Sequence, residues 1–279
     1  MRLTTIQLDH GTAAARLDGD ELVVLPAPGL TALLADPDWR RTAGRDGPRR
    51  PVAGATFART LDPVKTICVG LNYRSHITET GRPVPDHPTL FGKFTDTLIG
   101  PEDDIVLPPE SGEVDWEVEL GVVIGSTVRT VSPARARDCI AGFTVVNDVS
   151  MRDWQSRTTQ WLQGKNFEGT TPVGPFVVTA DEVDDARDLR ITCSIDGETV
   201  QDGRTSDLLF GPAELVSYVS RFTTLRPGDL IATGTPGGVG AARSPKRFLR
   251  SGELLRSEVE GIGAMSNRLV DRTDVWDQA

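Results

Sequence analysis

Acidic and apolar side chains alternate in the segment Val114–Ile124, and paired carboxylates of this kind can bind a metal ion. As a strand, the segment places Asp115, Glu117 and Glu119 on one face and apolar side chains on the other. Carboxylates two residues apart can bind one hard cation through oxygen. The apolar run from Gly121 onwards predicts burial on both faces, where like charges require a cation. A solvated edge strand has the same pattern, and for the segment alone we favour that interpretation.

Asp148 is a second candidate ligand, because it lies between an apolar strand and a helix start. The predicted strand Phe143–Val146 leads into Asn147-Asp148, and Ser150-Met151-Arg152-Asp153 has the form of a capping box. Loop positions held by rigid elements often carry binding residues. Arg152 follows one helical turn later and can orient a carboxylate. For Asp148 alone, an ordinary turn aspartate is the simpler interpretation.

One of the three histidines is paired with an acidic residue. His76 and Glu79 lie three residues apart on a short helix predicted from about Tyr73 to Thr80, so they face the same side. A carboxylate that holds one imidazole nitrogen leaves the other free as a base. Without further context, a surface ion pair is the commoner arrangement.

Two weaker signals are a rare lysine and a glycine-rich loop. Only four of the 30 basic residues are lysines, and one of them, Lys165, follows a glycine at a predicted helix end. A retained lysine hints at a site for a compact ammonium, although chance explains any single lysine equally well. The loop Thr233–Gly240 resembles an anion-binding loop but lacks the Gly-Lys-Ser/Thr ending and a following helix, so a structural turn is the simpler interpretation.

The order of these pieces resembles the fumarylacetoacetate hydrolase family, in its short bacterial, acylpyruvase-like branch. The resemblance covers about residue 62 to the C-terminus, and the ordered motifs together are far more specific than any one of them. The N-terminal segment resembles the variable small domain of such proteins only loosely. The motifs are Val69-Gly-Leu-Asn-Tyr-Arg-Ser-His-Ile-Thr-Glu79, Pro88-Thr-Leu-Phe-Gly-Lys93, Asp115-Trp-Glu-Val-Glu-Leu120, Asn147-Asp-Val-Ser-Met-Arg-Asp153, Gln160-Trp-Leu-Gln-Gly-Lys165, Thr233-Gly-Thr-Pro-Gly-Gly-Val-Gly240 and Glu260-Gly-Ile-Gly263.

The resemblance implies a role for each candidate residue and reverses the simpler interpretations given above. The implied metal ligands, for Mg²⁺ or Mn²⁺ (or Ca²⁺ in a crystal), are Glu117, Glu119 and Asp148. The implied catalytic residues are His76 and Glu79, as a dyad that activates water, and Lys165, which faces the substrate oxyanion or carboxylate. The implied substrate contacts are Lys93, Arg152, Gln155 and Thr235. Asp115 shares the acidic face but matches no ligand position of the family, so its role stays open.

Some segments depart from the family pattern. Phe94 follows Lys93 where relatives usually have proline, and Thr95-Asp96-Thr97 replaces the small residues common there. Ser251-Gly-Glu-Leu-Leu255 replaces a more usual Gly-Asp turn. Because these segments can border the pocket, they affect the predicted identity of the substrate.

The resemblance implies a metal-dependent C–C bond hydrolase acting on a β-diketo (acylpyruvate-like) acid. The substrate's 2-oxo carboxylate would chelate the metal, the dyad would deprotonate a water, and the products would be a carboxylic acid and a 2-oxo acid. The same enolate chemistry can decarboxylate oxaloacetate or isomerise an unsaturated 2-oxo diacid. A non-catalytic scaffold is the alternative from another class, and the filled ligand, dyad and lysine positions argue against it.

Strands dominate the predicted elements, helices are short, and regular βα alternation is absent, which predicts an α+β fold. The resemblance implies a mixed β-roll or β-sandwich with short flanking helices and a small N-terminal β-rich domain. Residues 36–60 are rich in Arg, Gly and Pro and read as a linker, so we divide the chain into 1–60 and 61–279. Two predicted helices begin at Ser132-Pro133 and at Ser150, and they end near Gly142 and Gly164.

Composition restricts the partners and the location. The net charge of −10 argues against nucleic acid and anionic membranes, because the protein's field repels phosphate. The sequence has no apolar run of about 18 residues and no apolar N-terminal stretch of signal-peptide length. The three cysteines lie far apart in apolar stretches, as reduced core thiols do. We therefore expect a cytoplasmic protein with a small anionic 2-oxo acid as substrate, and by resemblance a homodimer.

Overall fold

A computed structural model describes residues 1–272, and within them strands dominate over short helices. This confirms the predicted α+β class. The strands are β1 Arg2–Leu8, β2 Gly11–Asp18, β3 Glu21–Val24, β4 Arg49–Pro51, β5 Thr66–Gly70, β6 Thr89–Lys93, β7 Leu98–Ile99, β8 Ile105–Leu107, β9 Val114–Asp115, β10 Val118–Ile124, β11 Ile140–Asn147, β12 Ser150–Met151, β13 Thr171–Thr179, β14 Arg190–Ile195, β15 Glu198–Arg204, β16 Leu230–Ala232, β17 Leu254–Val259 and β18 Gly263–Asp271. The helices are α1 Leu30–Leu34, α2 Trp39–Ala43, α3 Arg74–Glu79, α4 Pro133–Ala136, α5 Arg152–Gln155, α6 Leu162–Lys165 and α7 Pro212–Ser220.

The largest sheet has 11 strands and is mixed. Its order is β4-β3-β2-β1-β13-β11-β10-β16-β5-β6, with β7 paired to β13 beside this path. Most neighbours are antiparallel, whereas β16 pairs with β5 in parallel. Every residue of β10, β11 and β13 is buried, which explains why these strands are largely apolar on both faces.

A second sheet, in the order β15-β14-β17-β18-β8, encloses the main core together with the large sheet. That core contains Val118 and Val122 of β10 as well as Ile191 and Met265 of the second sheet. Val123, on the opposite face of β10, belongs to a separate apolar cluster that also includes Leu33 of α1. The period-2 arrangement predicted for β10 is therefore confirmed, and both of its faces are covered.

The N-terminal segment joins the large sheet. β1 pairs antiparallel with β13, with Arg2 opposite Val178 and Leu3 opposite Val177. The segment 36–60, which we interpreted as a linker, contains α2 and β4, and β4 pairs with β3. The boundary between 1–60 and 61–279 stays a prediction.

The structure corrects three of the predicted elements. The strand predicted over Val114–Ile124 is interrupted at residues 116–117 between β9 and β10. The helix predicted from Ser150 to Gly164 is replaced by β12, α5 and α6, because residues 150 and 151 pair with β9. The helix that begins at Pro133 ends at Ala136, and Gly142 lies in β11, where a Cβ would sit 2.2 Å from the carbonyl oxygen of Val178. Gly142 thus permits close strand pairing and does not end a helix.

Two further observations concern features predicted from composition. Cys68 and Cys193 are buried, Cys139 is partly exposed, and all three are free thiols. Within residues 1–272, no helix combines the length and the apolar character needed to cross a bilayer.

Candidate active site

The two central strands bring the three predicted ligands together. Glu117 and Glu119 flank the start of β10, and Asp148 follows the end of β11, where Val118 pairs with Asn147. The Asp148 N–H donates to the Glu117 carbonyl at 2.8 Å, which fixes the two carboxylates side by side. One oxygen from each of Glu117, Glu119 and Asp148 lies within 4.8 Å of the others. All three side chains are at most 6% exposed, so the solvated-edge interpretation is wrong.

Three cations surround these carboxylates. Lys165 Nζ lies 2.6 Å from Glu117 Oε2 and 2.8 Å from Asp148 Oδ2. Lys93 Nζ lies 2.6 Å from Asp148 Oδ1, and Arg152 Nη2 lies 2.6 Å from Glu117 Oε1. Each cation is needed because an unpaired buried carboxylate is costly.

Asp115, whose role the sequence left open, anchors the site. Its carboxylate accepts hydrogen bonds from the N–H groups of Gly240 at 2.7 Å, Ala241 at 2.9 Å and Trp116 at 2.9 Å. It also lies 2.8 Å from Nε of Arg152, whose Nη2 faces Glu117. Asp115 thereby positions Arg152 from behind and holds the glycine-rich loop against the acidic strand. We call Asp115, Glu117, Glu119 and Asp148, with Lys93, Arg152 and Lys165, the carboxylate floor.

The glycine-rich loop binds anions, but the anions are the protein's own carboxylates. Besides the Gly240 bond to Asp115, Gly234 N–H donates to Glu119 Oε2 at 2.7 Å and Gly238 N–H donates to Glu79 Oε2 at 2.5 Å. Gly234 has φ +100°, and a Cβ there would lie 2.9 Å from the Val69 carbonyl oxygen. The N–H groups of this loop therefore bind three separate carboxylates of the protein.

The ionisation of the floor carboxylates is uneven. Burial opposes ionisation of Glu117, but Arg152 and Lys165 lower the pKa of this carboxyl well below its usual range. Burial, followed by the charges of Asp148 and Glu117, raises the pKa of Glu119 well above its usual value. Burial lowers the Lys165 pKa, but Asp148 and Glu117 outweigh it and raise the value to about 12. Within residues 1–272, Glu119 is the floor carboxylate that forms no ion pair.

A hard divalent cation fits this donor set. The floor contains four carboxylates and three basic side chains, so with all four carboxylates ionised it has one negative charge in excess. The three clustered carboxylates offer only oxygen, the donor that Mg²⁺ and Mn²⁺ prefer. A cation held by Glu117, Glu119 and Asp148 would supply the charge that Glu119 lacks.

Helix α3 carries the predicted dyad opposite the floor. His76 is 9% exposed, and its Nδ1 lies 3.7 Å from Glu79 Oε1. This distance exceeds hydrogen-bond range, and within residues 1–272 the buried Nδ1 has no hydrogen-bond partner. Burial opposes ionisation of Glu79, but the nearby His76 and the Gly238 N–H lower the pKa of this carboxyl. The two side chains are neighbours as predicted, whereas their expected hydrogen bond is not formed.

A cavity of about 440 Å³ separates the helix from the floor. Of the predicted site residues, those that line it are His76, Glu79, Glu117, Glu119, Arg152, Gln155, Lys165 and Thr235. Gln155 accepts a hydrogen bond from Arg152 Nη1 at 2.9 Å. The Thr235 hydroxyl donates to the Val118 carbonyl at 2.9 Å and accepts from Gln201 at 2.8 Å. Gln201, which the sequence did not single out, therefore fixes Thr235 at the cavity wall.

Lys93 lies outside the cavity lining, behind Asp148. Its side chain is fully buried, and its ammonium also approaches the Val149 carbonyl at 3.4 Å. In this geometry the ammonium neutralises Asp148, and the substrate contact that the resemblance implied for Lys93 stays a prediction. The unusual residue after it, Phe94, is 59% exposed and also does not line the cavity.

The comparisons with known proteins agree with the geometry. The C-terminal domain model of fumarylacetoacetate (FAA) hydrolase matches residues 65–270, which is most of the chain. The chain belongs to the fumarylacetoacetate hydrolase family. Its sheets and short helices are the α+β fold of that family.

Three relatives of the family carry different enzyme names. The human mitochondrial oxaloacetate tautomerase FAHD2A is 46% identical over 83% of this chain and 74% of its own length. The fumarylacetoacetate hydrolase of Exiguobacterium antarcticum is 30% identical, with a TM-score of 0.88 over 98% of this chain and 100% of its own. The 5-carboxymethyl-2-hydroxymuconate delta-isomerase of Mycobacterium smegmatis is 33% identical, with a TM-score of 0.82 over the same shares. The family therefore includes hydrolases, isomerases and tautomerases, and its membership alone does not select one reaction.

Proposed function

We propose that this protein is a divalent-metal-dependent enzyme that transfers a proton on a small 2-oxo acid, with keto–enol tautomerisation of oxaloacetate as its reaction. The observation that carries the proposal is the position of His76. It is the one imidazole lining the cavity, within the described residues, and it faces a carboxylate floor that fits Mg²⁺ or Mn²⁺. The name of the 46% identical human relative supports the choice of substrate.

Each residue has a defined task in this reaction. Glu117, Glu119 and Asp148 would hold the cation, which when bound stabilises negative charge on the 2-oxo oxygen. The Lys165 ammonium, which is paired with Glu117 and Asp148, balances charge on the same side of the cavity. His76 gives a proton to C3, the enol oxygen releases its own proton to water, and a proton from water restores the imidazole, so the substrate keeps its composition. The Glu79 carboxylate stabilises the charged form of the imidazole.

Proton transfer does not require a hydrogen bond between His76 and Glu79, whereas activation of a water for hydrolysis does. An activated water needs a base that its partner orients through a hydrogen bond. Here Nδ1 of His76 is 3.7 Å from Glu79 Oε1, and Glu79 Oε2 is bound to Gly238. A single imidazole within reach of C3 suffices for tautomerisation.

C–C bond hydrolysis of an acylpyruvate is the second candidate, and the proximity of His76 and Glu79 favours it. Catalytic hydrogen bonds are often long without substrate and shorten in the complex. In that case the dyad would deprotonate a water that attacks the distal carbonyl, and the products would be a carboxylic acid and a 2-oxo acid.

The test follows the enol absorbance of oxaloacetate and of acetylpyruvate in parallel, in dilute buffer with Mg²⁺ and then with excess chelator. Faster, chelator-sensitive loss of the oxaloacetate enol, with no pyruvate or acetate formed, supports tautomerisation. Acetate formed from acetylpyruvate would establish the hydrolase instead. Pyruvate formed from oxaloacetate would identify a decarboxylase. No acceleration in either case would refute the proposal.

The remaining sequence predictions belong to the same proposal. A cytoplasmic location, a homodimer and the absence of nucleic acid or membrane partners stay predictions. Size-exclusion chromatography with light scattering would test the dimer.

A further inference from the structure

Three cationic side chains line the cavity, and two of them are already engaged. Lys165 is paired with Glu117 and Asp148. Arg152 uses Nε for Asp115, Nη2 for Glu117 and Nη1 for Gln155. Both are therefore already paired with carboxylates of the floor.

Arg82 is the third cation, and its guanidinium is unengaged. Within residues 1–272 it forms no ion pair and no hydrogen bond with another side chain or carbonyl, yet it lines the cavity beside Thr80 and Glu79. The residue is exposed, so it lies at the solvent side of the cavity, whereas the floor is buried.

The backbone of Arg82 is held in place by the end of α3. Gly81 has φ +63°, its N–H donates to the Thr78 carbonyl at 3.1 Å, and the Arg82 N–H donates to the Ile77 carbonyl at 3.2 Å. These two bonds and the left-handed glycine form a Schellman motif, with Arg82 as its second residue beyond the cap. The motif couples the position of Arg82 to the helix that carries His76.

We propose that Arg82 binds the second carboxylate of a 2-oxo dicarboxylate substrate. The inference rests on the proposed function, in which the 2-oxo end of the substrate lies at the floor. The distal end then faces a wall whose other side chains include Thr80, Phe91 and Trp161, none of which carries charge. A guanidinium fork binds a carboxylate through two parallel hydrogen bonds, and an uncharged acyl chain gains nothing from it. Arg82 therefore selects diacids over 2-oxo monoacids.

The experiment compares oxaloacetate with its 4-ethyl ester, which has the same skeleton without the distal charge. The variants are Arg82→Gln, Arg82→Lys and, as a control, Arg50→Gln on the far edge strand β4. In Arg82→Gln we expect KM for oxaloacetate to rise about 10- to 100-fold, the range for a lost hydrogen bond to a charged group, with kcat little changed. The ester should be turned over equally by wild type and Arg82→Gln, and Arg82→Lys should recover part of the affinity. If Arg82→Gln raised KM equally for oxaloacetate and the ester, or changed KM for neither, the inference would be overturned.

A binding measurement separates this inference from the proposed reaction. Calorimetry of the Mg²⁺-loaded protein compares 2-oxoglutarate with 2-oxopentanoate, which have the same chain length and differ in the distal carboxylate. Preference for the diacid in wild type, and its loss in Arg82→Gln, supports the role of Arg82 even if oxaloacetate is not tautomerised. Equal affinity for the two acids in wild type, or binding of neither, would overturn it.

Discussion

The two sides of the cavity are built differently. The carboxylate floor is buried, and each of its acidic side chains has partners on strands and loops distant in sequence, such as Gly234 for Glu119 and Gly240 for Asp115. The opposite side, which we call the helical wall, consists of residues 74–82, a six-residue helix and its cap. Glu79 connects the wall to the glycine-rich loop. Both Glu79 and Arg82 are exposed to solvent. The floor is suited to holding a cation rigidly, and the wall is suited to exchanging protons with a substrate.

The largest loss of activity is expected for a substitution in the helical wall. That substitution should leave the stability of the protein unchanged. His76→Gln removes the proposed proton-transfer group, so we expect kcat to fall by about 10²- to 10⁴-fold. Mn²⁺ affinity, measured by calorimetry, should be unchanged because the floor is intact. His87→Gln is the control, since His87 is exposed and stacks on Tyr218 outside the cavity. Equal activity of the two variants would remove His76 from the reaction.

A substitution in the carboxylate floor should instead lower the stability of the protein. Asp115→Asn removes one of the two carboxylates paired with Arg152 and points an amide N–H₂ at one or two of the backbone donors, so we expect unfolding to be easier by about 3 kcal/mol. For a domain of this size that corresponds to a Tm lower by about 6 °C or more. Asp202→Asn, which breaks the exposed pair with Arg190, should change stability by less than about 0.5 kcal/mol. Thermal unfolding measures both, and a Tm for Asp115→Asn equal to that of Asp202→Asn would contradict the anchoring role.

A third substitution tests the aromatic side of the cavity next to the wall. A Cβ on Gly70 would lie 2.2 Å from Trp161, so Gly70→Ala must displace the ring that packs against Phe91. We expect a loss of about 1–3 kcal/mol in stability and a raised KM. At Gly92 a Cβ would meet its nearest neighbour at 3.8 Å, so Gly92→Ala is the matched control. An unchanged KM in Gly70→Ala would show that Trp161 does not shape the substrate site.

The smallest effect is expected at Glu79. Glu79→Gln keeps an oxygen that can accept the Gly238 N–H but removes the charge beside His76, so kcat should fall only about 10-fold, less than for the proton-transfer group itself. Stability should change by less than about 0.5 kcal/mol. A loss as large as that of His76→Gln would favour the hydrolytic dyad over simple proton transfer, and steady-state kinetics distinguishes the two.

The floor was more predictable from the sequence than the contacts that hold it. The alternation in β10 and the loop position of Asp148 indicated candidate ligands, since both are local patterns. Burial, which decides between a solvated edge and a metal site, depends on β11, β16 and the second sheet, and no local pattern reports it. The family resemblance supplied what the pattern alone did not.

The errors have the same origin. Asp115 stayed undecided because its partners, Gly240 and Ala241, are about 125 positions away in the chain. The pairing of Lys93 with Asp148 was not foreseen either, because it depends on the packing of β6. The helix predicted from Ser150 yielded to pairing with β9, since tertiary contacts override a capping signal.

The most direct test of the central claim is a titration with Mn²⁺ followed by electron paramagnetic resonance, on wild type, Glu119→Gln and Glu198→Gln. Glu119 is buried and forms no ion pair in the part of the chain that the structure describes, whereas Glu198 is exposed at a hairpin. We predict one Mn²⁺ per chain in wild type and in Glu198→Gln, and an affinity at least about 10-fold weaker in Glu119→Gln. Wild-type protein that binds no Mn²⁺, or a Glu119→Gln variant that binds it as tightly as wild type, would contradict the assignment of the carboxylate floor as a metal centre.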